Sequence, residues 1–236
     1  MTEARTDGDY EDRVLMTDKG RPDKGRPLRA DALRNRGRLL EAADAVFSER
    51  GLDVGVGEIA QLAGVGRGTL FRNFPCKQDL IAAIVVERMR DAVRAGRELL
   101  VGDAGSDAVF GFIADIAGRQ HVDRALFEAV ADEFLANHEI RAAHAEVIEV
   151  LEDLLEAAKR DGFVRPDVGA LDVLMMMKGA CAASAAFGET KPDILERHLD
   201  LVRAAISTPA HPQPLRGTAP TLADLERVLG EPRRSP

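Results

Sequence analysis

The sequence predicts an all-α fold, a three-helix unit near the N-terminus followed by a larger helical bundle, and three observations predict it. The 236 residues have 4% aromatics and no Trp, and are rich in Ala, Leu, Val, Arg, Asp and Glu, a mix that favours helices over strands. Apolar residues recur at three- and four-residue spacing, as at Leu39, Leu40, Ala43, Val46 and Phe47, so that each segment carries one apolar stripe. Gly51, Gly64, Pro75 and Gly162 punctuate the chain at helix-length intervals, as stops should.

Residues 1–28 are charged, contain Gly and Pro, and lack an apolar period; they read as a disordered leader. The first helix is expected over Asp31–Arg50, ended by Gly51. A short helix follows over about Val56–Ala63, with Gly55 at an N-cap that offers no side-chain oxygen. Gly64-Val65-Gly66 forms a tight turn, and a second short helix runs from Arg67 to Asn73 until Pro75 breaks the chain. A long helix spans about Lys77–Leu100. Further helices are expected over Asp107–Ala117, Asp123–Ala136 and Glu139–Lys159. After the loop Asp161–Asp167, in which Asp167 can cap the next helix, the nearly all-apolar Val168–Phe187 and then Pro192–Ile206 close the globular part. Residues 208–236 are a Pro-rich tail with room for one short helix at Thr221–Leu229. The domains are therefore 1–28, leader; 29–78, the three-helix unit; 79–207, the bundle; and 208–236, tail.

No run of about 18 apolar residues occurs, which excludes a membrane-spanning helix, and Met1–Asp18 lacks the apolar core of a secretory signal. Cys76 and Cys181 do not make a disulfide framework. A cytoplasmic location follows. The net charge of −8 argues against nucleic acid until its distribution is read. Residues 26–80 carry nine Arg/Lys and seven Asp/Glu, whereas residues 81–210 carry fourteen and twenty-three. The acidity lies outside the three-helix unit.

Within that unit Val56–Phe74 has the layout of a helix-turn-helix. Ala63 is small enough for the helices to approach, Gly64 supplies left-handed backbone, and Val65 fills the space between Ile59 and Leu70. Arg67, Gly68, Thr69, Arg72 and Asn73 are then the outward face of a helix sized for the major groove. Arg67 can donate to phosphate or guanine, Thr69 can meet a base edge or a thymine methyl, and Gly68 lets backbone approach. Lys77 and the free amides at the start of the long helix suit a phosphate.

Residues 34–85 resemble the N-terminal domain of TetR/AcrR-family regulators. The resemblance lies in Ala42-Ala43-Asp44-Ala45-Val46-Phe47-Ser48-Glu49-Arg50-Gly51, in Glu58-Ile59-Ala60-Gln61-Leu62-Ala63-Gly64-Val65, and in Gly68 through Leu80. It implies a bacterial, nucleoid-associated, DNA-binding transcriptional regulator. Such a regulator is a homodimer that represses by holding a palindromic operator and releases it when an effector enters the bundle. It further implies dimerisation through Val168–Phe187 and Pro192–Ile206. Phe71 stands at a DNA-facing position where the family often has Tyr, and Gly55 and Gly66 stand where it often has Thr or Ser; those three hydroxyls are missing here.

The leader contains Lys19-Gly20-Arg21-Pro22-Asp23 and then Lys24-Gly25-Arg26-Pro27. An extended Gly-Arg-Pro core is narrow and cationic and resembles an AT-hook for a minor groove, with Arg29, Arg34, Arg36 and Arg38 continuing the basic run. For the effector, expected to be an apolar small molecule, the candidate lining residues are Phe110, Ile113, Phe127, Phe134 and Met176, to which the resemblance adds Met89 and Val93; plain core or dimer packing is the favoured reading of Met176 and an open alternative for the rest. Of Met175-Met176-Met177, at most two can face one site. The five histidines form no metal motif, so no metal is expected, and no cofactor either. Asp132 and Glu133 read as a solvated face. Cys76, beside Lys77 and near Arg72 at a helix start, is placed for a redox role, which leaves open regulation by oxidation or by a protein partner without a small ligand. There is no P-loop, dinucleotide fingerprint, zinc motif or nucleophile elbow, so an enzyme is not expected.

Overall fold

The structure is a computed structural model that describes residues 25–102, 105–122, 124–130, 137–185, 187, 190–191, 193–208, 221 and 223, with side chains left out at 25–30, 105–106 and 121–122. The first copy of the Lys-Gly-Arg-Pro repeat, Asp132, Glu133, Phe134, His211 and the expected tail helix lie outside the described residues, apart from Thr221 and Ala223 of that helix.

Helix α1 spans Gly25–Arg50, α2 Val56–Leu62, α3 Arg67–Asn73 and α4 Lys77–Val101. They are followed by α5 Gly105–Val122, α6 Arg124–Ala129, α7 His138–Arg160, α8 Ala170–Ala185 and α9 Ile194–Ile206. Helix α1 starts six residues before the expected Asp31. Gly25, Arg26 and Pro27 are therefore helical, and the second repeat copy is not the extended hook that its composition suggested. Pro27 falls in the first turn, where a missing N–H breaks no intrahelical bond.

The three-helix unit closes over Leu39, Ala43, Phe47, Ile59, Leu70 and Phe74, all buried. Its turn pivots on Gly64, at φ 64°, and the Val65 amide bonds the Ala60 carbonyl at 3.0 Å. The unit is continuous with the bundle through α4. That helix buries Leu80 to Val86 and then Met89, Ala92, Val93 and Gly96, and it packs most extensively on α7. Arg88 on α4 ties back to α1, its Nε and Nη2 donating to Asp44 Oδ1 at 3.1 and 2.5 Å. Helix α7 is capped by Asn137, whose Oδ1 accepts from the amides of Glu139 and Ile140.

The Asp167 carboxylate takes the Arg165 guanidinium at 2.6 and 2.9 Å, and at the start of α8 the Gly169 amide donates to Asp172 and the Ala170 amide to Glu152. The α7–α8 loop also bonds the end of α9 through Arg165 N to Ile206 O and Thr208 N to Phe163 O. Among the described residues no helix is long and apolar enough to cross a membrane.

Candidate nucleic-acid interface

Helix α3 is positioned from both ends. Gly66 is its N-cap in extended conformation, and its carbonyl accepts from Thr69 and Leu70. At the other end the Phe74 amide returns to Leu70 O while the Phe74 ring is buried. With Leu70 and Phe74 as anchors, Arg67, Gly68, Phe71 and Arg72 are exposed, and Thr69 and Asn73 half-buried. Two of these side chains are ordered along the helix: Arg72 Nε donates to Gly68 O at 3.1 Å and Asn73 Nδ2 to Thr69 O at 2.8 Å. Nothing lies within 4 Å of where a Gly68 Cβ would stand, so packing does not require glycine there.

The cations divide by partner. Arg34 is held by Asp31, and Arg50 by Glu58. Arg67 and Arg38 have no ion pair among the described residues. The Arg67 guanidinium rests on the start of α2, 2.8 Å from where a Gly57 Cβ would be; that of Arg38 lies equally close to the Gly64 position. Arg36 stacks on Phe74 at 4.5 Å from the ring centroid. Arg36 and Arg38, which continue the leader's basic run in the sequence, both lie on α1, within the helix expected over Asp31–Arg50.

Lys77 is turned away from this face. Its ammonium donates to the Leu52 carbonyl and lies 5.7 Å from the Phe47 ring centroid, so this side chain is engaged within the three-helix unit. Cys76 is the α4 N-cap. Its amide and its thiol both donate to Asp79 Oδ2 at 3.1 Å. The charge beside the sulfur is a carboxylate rather than the cations expected from the sequence.

The family model described as bacterial regulatory proteins, tetR family, matches residues 39–84. A second, described as transcriptional regulator SbtR-like, C-terminal domain, matches residues 104–206. A solved TetR transcription regulatory protein from Mycobacterium vanbaalenii is 33% identical, with a TM-score of 0.58, over 77% of this chain and 99% of its own. The chain belongs to the TetR family of transcriptional regulators. The TetR regulator SCO0520 from Streptomyces coelicolor is 28% identical over 74% of this chain and 99% of its own, also with a TM-score of 0.58. The HTH-type regulator UidR of Escherichia coli strain K12 is 26% identical over 146 residues, 60% of this chain and 74% of its own length. As a member of the TetR family the protein regulates transcription through its helix-turn-helix and is not an enzyme.

The residues expected to line an effector site, Phe134 aside, are dispersed among four helices. Met89 and Val93 on α4 and Ile113 on α5 are buried, while Phe110 on α5, Phe127 on α6 and Met176 on α8 are half-buried. Phe110 and Ile113 come together with Leu199, Val202 and Arg203 in a cleft between α5 and α9 of about 100 Å³, where the Arg203 guanidinium stacks on Phe110 at 4.4 Å. Of the three consecutive methionines, Met175 is exposed, Met176 half-buried and Met177 buried.

Proposed function

We propose that this TetR-family protein is a repressor. It binds a roughly palindromic operator as a homodimer, and an apolar small molecule that enters its bundle releases it. The observation that carries the DNA reading is the open face of α3, where Arg67 and its neighbours are held in position without an acidic partner. One α3 from each protomer then enters successive major grooves about one turn, or a multiple of it, apart.

Dimerisation is supported by the outward face of the last two helices. Met175, Gly179, Ala182 and Ala183 of α8 and Leu201, Ala204 and Ala205 of α9 are exposed, a small and apolar surface that can be packed closely by its own copy. Effector action is supported by α4, which begins beside the recognition helix and ends inside the bundle. A ligand pocket is typically about 300–1,000 Å³, so the α5–α9 cleft has to widen to accept one. That widening favours a conformation with different α3 spacing.

The test starts from an operator selected by the full chain from random-sequence duplexes. Arg67→Ala and Thr69→Val should each abolish specific retardation in a gel shift while gel filtration still shows the parent's oligomer. If either variant binds as tightly as the parent, α3 is not the reading element.

A further inference from the structure

Among the described side chains of α1 the first buried one is Leu39. Before it, Asp31–Arg34 are exposed, and Leu33 is 70% exposed. Residues 25–38 are helical, and fourteen residues at 1.5 Å each span about 21 Å, with Asn35–Gly37 half-buried at the base.

Its composition names the partner. Residues 25–38 hold five arginines and one aspartate in a chain whose net charge is −8. The ion pair inside it, Arg34 with Asp31, is exposed on both sides and so holds the arginine only weakly. The base of the overhang is fastened to the reading unit. Arg36 lies over Phe74, where α3 ends, and Arg38 lies against Gly64, where the turn begins. These two contacts tie the base of the overhang to both ends of the turn and reading helix.

We propose that residues 25–38 form a second DNA-binding element, a cationic helical arm laid along the phosphates of the duplex that flanks the bases read by α3. The inference rests on α3 entering the duplex. It replaces an extended minor-groove hook with a helix, and base reading with phosphate tracking. Fourteen helical residues reach about six base pairs, since the duplex rises 3.4 Å per pair.

The test uses the full chain on its selected operator, once with ten base pairs of flank on each side and once trimmed to the palindrome. Affinity is measured over a range of salt for the parent, Arg29→Gln/Arg34→Gln and Ala32→Pro. The double variant should lower the slope of log affinity against log salt by about 2 per protomer, and weaken binding to the flanked duplex about tenfold. The parent's preference for the flanked over the trimmed duplex should vanish. Ala32→Pro keeps every charge but breaks the helix, and should lose the same preference. Ala32 and Arg34 are exposed, so the double variant should melt as the parent does.

Equal slopes for parent and double variant overturn the proposal. So does an arm whose loss alters melting or oligomeric state instead of the salt slope, because that outcome makes the acidic bundle its partner. If Arg67→Ala binds as the parent does, the reading of α3 fails by itself, and the salt slopes still decide whether the arm touches phosphate.

Discussion

Arg67 and Lys77 begin consecutive helices and settle on different neighbours. A cation at a helix start opposes the macrodipole, and each side chain relieves this differently. Lys77 reaches the Leu52 carbonyl in the loop after α1. Arg67 finds no carbonyl and stays outside. The sequence could not separate the two, because the position of Leu52 relative to α4 is set by tertiary packing. The same applies to Cys76, whose partner Asp79 is visible three residues on, but only as one neighbour among several. His144 is the residue with a measurable pH signature. It lies on the core-facing stripe of α7, four residues from buried Ile140 and from buried Ile148. Burial, and secondarily the charge of Lys178, pushes its imidazole down to about 4. The unfolded chain takes up a proton near pH 6.5, so between pH 6.5 and 4 the unfolded state binds the extra proton. Stability should then be full above about 6.5 and fall as the pH drops toward 4. At pH 5 the loss should be on the order of 2 kcal/mol. Urea midpoints at pH 7 and 5 check it: the parent should lose stability between them, and His144→Leu should lose markedly less. An equal drop in both would assign the acid sensitivity elsewhere.

At the scale of helices, those with sharp local stops were legible. Helices α2 and α3 fall within a residue of expectation because Gly51, Gly64 and Pro75 act on the chain locally. The start of α1 was not legible. Gly25 and Pro27 read as breakers although a first turn tolerates them. Gly96 shows why the lever helix needs a gap that no pattern reveals. A Cβ on Gly96 would stand 2.4 Å from Val150 Cγ1 and 2.7 Å from Phe112 Cε2. Both of those residues are buried, which leaves them little room to yield. Gly96→Ala gains about 1 kcal/mol of helix propensity but costs about 1–3 kcal/mol in overpacking, so it should lower the melting temperature. Adding Val150→Ala should return part of that loss. Gly111→Ala on α5, where nothing lies within 4 Å, should raise stability instead. If Gly96→Ala proved as stabilising as Gly111→Ala, α4 would not be tightly wedged between α5 and α7.

The whole molecule joins an acidic bundle to a unit whose unpaired arginines sit beside the reading helix, so net charge misleads about its partner where charge distribution does not. A single protomer presents one α3, and one half-site gives little specificity. Pairing makes the second half-site encounter intramolecular, which can raise avidity by about 10²–10⁴. The α8–α9 face should therefore control operator affinity from the far end of the protein. Leu201 is 56% exposed, so Leu201→Glu costs the protomer no core packing and should leave its helicity unchanged. In a dimer the same carboxylate would be buried without a partner beside the partner's copy, and burying an unpaired charge is expensive. Sedimentation should then show a monomer, and operator affinity should fall at least a hundredfold while the weak binding to unrelated duplex persists. A Leu201→Glu protein that remains dimeric and holds its operator as tightly as the parent would place the dimer interface on another face of the bundle.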